Sequence, residues 1–600
     1  MENTAIRPRA EIPVSDTWDL TRLYADEEAW EKDLRALMPM AEAVAAFAGT
    51  LGDGAATVAR CLALETRLSR KMENVYTYAK MRQDEDNTLD APQAMTDRAM
   101  SVNVAISEKL AFLQPELLLL DDAVLASYLT ADELAEYRRP LEELIRQKPH
   151  TLSAPEEQIL AGMGELAASP QHIFTMLNSA DMKYDPILKD DGARLDVTNA
   201  NFILLQTNED RSIRQKAFTS FYAGYRSHAN TLAAAYSASV KKDVFLARTR
   251  HYESALQMSL DDENIPIAVY DNLIAVIHDR LPVMHRYVEL RKKLLKLDEL
   301  HCYDMYAPLV AELNQRYSFD QAKELVVQAL KPLGDAYGQI LQTGLNSRWI
   351  DVYENKGKSS GAYSWGTYDS SPYVLLNFTG TLDSVSTLAH EMGHSLHSYY
   401  SNEHQPYQTA GYKLFVAEVA STVNENLLIE YLLRQDIEDS FRLYLLNQYL
   451  ENFKGTMYRQ TMFAEFEKEA HALVESGNAL NSTVLTNLYA SLYEQYHGAA
   501  LTMDQDIRYE WSRIPHFYRP FYVYKYATGY SAAVYLSEQI LSKGPTAVTP
   551  YLEFLSLGGS QDPLDSLLHA GVNMTRPEPI SLALDKFDRI LSDAEAIAAR

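Results

Sequence analysis

The sequence predicts a mainly α-helical protein of two or more substructures, with a small β element set just ahead of one functional helix. Three observations carry that reading. The chain has 600 residues, more than the roughly 250 to 300 that a single hydrophobic core organises. Apolar residues recur at spacings of three and four over most of its length, as in Leu64, Leu68, Met72, Val75 and Tyr76, which gathers them into one stripe of a helix. One β-favouring run, Tyr373 to Phe378, follows a Gly- and Ser-rich stretch and is closed by Gly380, the pattern of a short strand between turns.

Composition narrows the class. Hydrophobic residues are 47% of the chain and charged ones 23%, with only 24 Gly and 23 Pro, so the chain can bury cores and is neither fibrous nor disordered. Against 55 Lys and Arg stand 82 Asp and Glu, a net charge of −27. Such a field repels phosphate backbones and anionic lipid head groups, so no nucleic-acid or membrane partner is expected. Cys61 and Cys302 are the only thiols, too far apart in sequence for a disulfide framework or a thiolate cluster to be read. Met1 to Leu20 is studded with charges, and no later apolar run approaches the roughly 18 residues that cross a bilayer. A cytoplasmic protein is the expectation.

In chain order, helical periodicity holds to about Ser169-Pro170. The acidic Asp84-Glu85-Asp86-Asn87 lacks the alternating ligands and glycine of a calcium loop and reads as a solvated turn. Two apolar-polar runs, Met182 to Leu188 and Ala193 to Thr198, meet at Asp190-Asp191-Gly192, a hairpin signal. The chain is accordingly divided into an N-terminal helical domain, 1–180, and a second domain, 181–600. Helical spacing returns from Glu209 to Leu297, where Arg291, Lys292, Lys293 and Lys296 read as a solvated basic face. Glycines and serines then interrupt any helix from Val352 to the strand at Tyr373 to Phe378.

The helix after that strand carries His390-Glu391-Met392-Gly393-His394. Residues four apart lie one turn above each other, so His390 and His394 can aim at one cation while Glu391 points about 100° away, beside the ion rather than on it. Thr381 or Asp383 supplies the N-cap, and Leu382, Val385, Leu388 and Ala389 supply the apolar face. A third ligand is needed. The extended motif with a third His on the same segment is absent, because His397 stands where its Gly belongs and Tyr400 where its His belongs. Glu418 is the candidate: Phe415, Val416, Val419 and Val423 surround it, and a carboxylate in such a helix is costly to bury without a cation or partner. Glu425, seven residues on, shares its face and could orient a ligand His through the other ring nitrogen; a salt-bridged surface Glu is the plain alternative. His397 reads as a packing or cleft-lining residue. Pro515 to Tyr530 is dense in phenols, which could either pack or donate hydrogen bonds to a reacting carbonyl.

Together these segments resemble the M3 family of zinc metallopeptidases, and within it the oligoendopeptidase F branch, related to thimet oligopeptidase. The resemblance is carried by His390 to His394, by Glu418 with Glu425-Asn426, by Gly357-Lys358-Ser359-Ser360-Gly361-Ala362-Tyr363, and by Pro515-His516-Phe517-Tyr518, with Tyr303-Asp304 and Asp191-Gly192 also matching. It extends from about Lys71 to about Ile540. It implies one zinc ion held by His390, His394 and Glu418, with Glu391 as general base and proton shuttle. His516 is implied as a donor to the substrate carbonyl together with tyrosines of the following helix, of which Tyr522 and Tyr526 are favoured over Tyr530. It further implies an elongated, mainly helical molecule with a deep channel, acting as an endopeptidase on short unstructured oligopeptides. The strand at Tyr373 to Phe378 is placed to pair with an extended peptide. A zinc aminopeptidase and a non-catalytic helical peptide-binding protein are the alternatives.

Overall fold

A computed structural model that describes residues 6–310 and 315–600 is 71% helical. Among the described residues there are seven short strands: β1 Ile187–Leu188, β2 Arg194–Leu195, β3 Leu300–His301, β4 Ile350–Asp351, β5 Tyr363–Trp365, β6 Tyr373–Leu375 and β7 Leu501–Thr502. None of the described helices is long and apolar enough to cross a membrane.

The chain forms two compact units, one of residues 1–151, 315–432 and 536–571, the other of 152–314, 433–535 and 572–600. These units do not follow the division into 1–180 and 181–600 expected from chain order. The polypeptide leaves and re-enters each unit, so packing rather than sequence position decides membership.

In the first unit the helices Glu27–Ala45, Ala55–Glu85 and Asp90–Leu110 bury Trp30, Leu34, Leu37, Leu68, Val75 and Ala99 in one core, which Tyr373 and Leu375 of β6 join. β6 is therefore seated on the N-terminal helices. Its sheet has the order β4-β6-β5, with β4 parallel and β5 antiparallel to β6. Both edges of β6 are filled, with Val374 N–H donating to Trp349 O at 2.9 Å on one side and β5 paired on the other. This corrects the expectation that β6 pairs with a peptide; the edge strands of that sheet are β4 and β5.

Buried charges pin the loop that leads into β5. The Lys358 side chain, 0% exposed, forms an ion pair with Asp351 at 2.7 Å and donates to Tyr353 O at 2.7 Å. Asp84 accepts the Ser359 hydroxyl at 2.7 Å and the Tyr363 hydroxyl at 3.0 Å, and also pairs with Lys80. Asp84 is buried in the last turn of its helix, which corrects the solvated reading there, while Asn87 is exposed in the turn that follows. Two of the Asp84 partners, Ser359 and Tyr363, lie 275 and 279 positions away, beyond the reach of local sequence reading.

The second unit has its own helices, including Arg211–Ser227, Ala229–Thr249 and Arg459–Glu475. The hairpin β1-β2 forms as its turn chemistry predicts, with Gly192 at φ +81°. Arg291 differs from its expected solvated face: it is buried and donates to Asp304 O at 3.1 Å and Ala307 O at 2.6 Å, and it pairs with Glu451. Asp304 in turn is held by Arg211 at 2.9 Å and Arg214 at 2.8 Å.

Candidate active site

The site helix runs from Leu382 to His404 and starts where Thr381 accepts the Ser384 N–H at 3.2 Å, so Thr381 rather than Asp383 is its N-cap. Val385, Leu388, Ala389, Met392 and Leu396 are fully buried. With that face committed to the core, the 3.6-residue repeat turns His390 and His394 to the same side.

The following helix, Leu414–Leu433, lies directly against it. Gly393 allows the approach: a Cβ at this position would stand 2.5 Å from Ser421 Cα and 2.8 Å from Ala420 O. Asn424 locks the contact, donating to Ala389 O at 3.0 Å while its own carbonyl accepts the Tyr337 hydroxyl at 3.1 Å.

This packing brings three ligand atoms together. His390 Nε2 and His394 Nε2 are 3.2 Å apart, and Glu418 Oε2 is 3.4 Å from each. Tetrahedral zinc with nitrogen and oxygen ligands at about 2.0 to 2.1 Å separates those ligands by roughly 3.3 Å, so the triangle has the dimensions that one ion requires. Two imidazoles and a carboxylate are also a donor set that zinc accepts. Outer contacts orient the ligands, as metal sites need: Glu425 Oε1 lies 3.0 Å from His390 Nδ1, and the Ser421 hydroxyl donates to Glu418 Oε2 at 3.0 Å.

The electrostatics favour a cation. Burial pulls His390 down, but the hydrogen bond and charge of Glu425, with the charges of Glu418 and Glu391, outweigh it and raise the imidazole to about 9. For Glu418, burial pushes the carboxyl up, yet the His394 hydrogen bond and the two imidazoles bring it to about 2. Glu391 is 6% exposed, burial lifts its carboxyl above the ordinary range, and its Oε2 has no hydrogen-bond partner. A carboxyl kept short of partners in this way is suited to accepting and returning a proton. His397 is 1% exposed, stacks on Tyr412 with ring centroids 3.8 Å apart, and is lowered to about 3 by burial and the nearby His394. It packs rather than ligates.

Beyond His394 along the site helix lies a cavity of about 580 Å³, with Glu73, Ser364, Trp365, Ser398, Asn402 and Tyr412 in its wall. Ser364 of β5 touches the site helix at Ser395, hydroxyl to hydroxyl at 2.8 Å.

His516, Tyr522 and Tyr526 belong to the second unit. There the His516 ring lies parallel to that of Tyr522 at 6.1 Å and edge-on to that of Tyr526 at 6.2 Å, and the Tyr526 hydroxyl donates to the Tyr522 hydroxyl at 3.4 Å. Burial and the Arg519 charge lower His516, which favours the neutral imidazole. Tyr518 stacks on Phe174 and Tyr530 packs edge-on against Phe453; both are buried.

Comparison with known proteins bears on this arrangement. Residues 204–586 match the family model for Peptidase family M3, and residues 116–184 match that for Oligopeptidase F. The chain belongs to peptidase family M3. Oligopeptidase PepF of Bacillus subtilis (strain 168) is 43% identical to it over 590 residues, covering 98% of this chain and 88% of that one. Group B oligopeptidase PepB of Streptococcus agalactiae is 40% identical, covering 99% and 98%. The crystal structure of oligoendopeptidase-F from Enterococcus faecium superposes with a TM-score of 0.75 at 35% identity, covering 96% of this chain and 99% of that one. As an M3 peptidase the chain is a metallo-oligopeptidase, a hydrolase, and its family implies a metal.

In this M3 peptidase, sequence reading passed over Gly393, Asn424 and Ser421. Only Gly393 left a local signal, a glycine inside a helix where it costs about 1 kcal/mol against Ala and so needs a packing reason.

Proposed function

We propose that this M3 peptidase is a zinc endopeptidase that cleaves internal bonds of short, unstructured peptides. The observation that carries the reading is the 3.2, 3.4 and 3.4 Å triangle of His390, His394 and Glu418 ligand atoms. These three residues would hold the zinc, oriented by Glu425 and Ser421. A bound zinc ion would supply Lewis acidity here, acidifying a water and polarising the scissile carbonyl.

Glu391 moves the protons. Its carboxylate accepts one from the attacking water and returns it to the nitrogen of the leaving amine, and burial raises its proton affinity for the first of these steps. The family resemblance implies that His516, Tyr522 and Tyr526 donate hydrogen bonds to the substrate carbonyl oxygen as negative charge grows on it, and the three rings stand together within the second unit. An extended peptide would lie along β5, where strand alternation turns the Ser364 N–H and C=O away from β6. Main-chain pairing fixes register and tolerates varied side chains, so broad specificity follows, with the 580 Å³ cavity giving room for one large side chain.

The test is digestion of N-acetylated, fluorescence-quenched peptides, with product masses measured before and after chelation. Internal cleavage that stops with chelator and returns with one zinc per chain is expected. Peptides left uncut because the N-terminus is blocked would make the protein an aminopeptidase, and hydrolysis indifferent to chelator would end the zinc reading.

A further inference from the structure

Glu467, on the helix Arg459–Glu475, is 0% exposed, and no cation pairs with it among the described residues. Its Oε1 accepts the backbone N–H of Phe521 at 3.2 Å, while Oε2 has no partner. Phe521 sits at φ +53°, in the left-handed region that a bulky side chain seldom adopts. Its ring is clamped as well, 4.5 Å from that of His471 and 5.9 Å from that of Tyr270. His471 stands one turn beyond Glu467 and is tied to Glu467 O through Nδ1 at 2.8 Å. Just before Phe521, the Ser259 hydroxyl donates to Pro520 O at 3.0 Å. The next residue is Tyr522, and the helix Tyr524–Lys543 begins two residues later. The backbone angle at Phe521 therefore sets the direction in which Tyr522 and the first turn of that helix depart.

We propose that Glu467 is a positioning residue for Tyr522 and Tyr526, holding the Phe521 N–H so that the chain keeps its left-handed turn and both phenols stay aimed as donors. The inference rests on the reading of those two tyrosines given above. Desolvation holds the Glu467 carboxyl well above the ordinary range, with the Asp243 charge adding to it. A neutral acid meets the need for a buried acceptor without stranding a charge in an aromatic core.

The test compares Glu467→Gln, which keeps an acceptor oxygen, with Glu467→Leu, which keeps the volume and removes it; Glu467→Met serves if the Leu variant is insoluble. Hydrolysis of one quenched peptide is measured on metal-loaded enzyme, with metal content and thermal unfolding in parallel. The Gln variant is expected to stay near wild type. The Leu or Met variant is expected to lose roughly 10- to 100-fold in kcat with KM and metal content held. Tyr522→Phe should then cost less in the apolar background than in wild type, because both changes disable one device. A Gln variant as impaired as Leu, or independent multiplication of the two losses, overturns the proposal. If Tyr522→Phe and Tyr526→Phe both turn over at full rate, the donor reading fails and takes the positioning role with it. If they lose activity while Glu467→Leu does not, the positioning role alone falls.

Discussion

Gly393 lies against Ser421 so closely that a Cβ on the glycine would stand 2.5 Å from the Ser421 Cα. That contact sets the separation of the helix bearing His390 and His394 from the helix bearing Glu418, and so the size of the triangle the three ligands form.

Gly393→Ala tests the contact. Alanine gains about 1 kcal/mol of helix propensity, but overpacking costs about 1 to 3 kcal/mol. Here the obstruction is backbone rather than a flexible side chain, so the upper part of that range wins. The variant should unfold at lower temperature and bind zinc roughly tenfold more weakly, read by calorimetry and by competition with a metal indicator. Wild-type values for both would show that the helix spacing does not govern the site.

Glu425→Ala leaves all three ligands in place and removes the partner of His390 Nδ1. Metal affinity should fall roughly 10- to 100-fold, while kcat at saturating metal falls less. A variant that keeps full affinity would reduce Glu425 to a bystander.

Glu391→Gln should retain its zinc and lose roughly 10²- to 10⁴-fold in kcat. Metal analysis beside a peptide assay checks it, and near-normal turnover would remove Glu391 from the proton-transfer role.

Metal loading should depend on pH. Burial alone would lower His390, but Glu425, Glu418 and Glu391 raise it to about 9, so the metal-free site holds a proton that an arriving cation must displace. Apparent zinc affinity should rise by roughly tenfold per pH unit toward that value, with proton release measurable by calorimetry in buffers of different ionisation enthalpy. Affinity flat across this window would contradict the assignment.

Stability should depend on pH through Glu467. Burial raises its folded-state carboxyl well above the unfolded value, so its contribution is intact below the ordinary Glu range near about 4.3. It is lost progressively as pH rises toward the folded value, because only the unfolded chain gives up the proton. Glu467→Gln should flatten that part of a denaturation-against-pH profile, making the variant relatively more stable as pH increases. Parallel profiles for the two proteins would refute it.

How much of this was legible in the sequence follows from the range of each interaction. His390, Glu391 and His394 are related by one helical turn, and Glu425 follows Glu418 by two, so both spacings could be read along the chain. Asp84 and Arg291 read as solvated in the sequence but are buried, because a charged side chain carries no sign of the distant partner that buries it. Ser359 and Tyr363 reach Asp84, and Glu451 reaches Arg291, from other segments of the chain. The strand Tyr373–Leu375 was recognisable from its residue types, whereas its central place in the sheet depended on which strands came to lie beside it.

By itself, the sequence determined the helical class and the cast of the candidate metal site, since the α-helix has one repeat and places its side chains by count alone. Tertiary structure decided the 3.4 Å distances that join Glu418 to the two imidazoles. Those distances depend on how near two helices can come, and that is set by Gly393, Asn424 and Tyr337 at their contacts, atoms whose meeting no periodicity along the chain encodes.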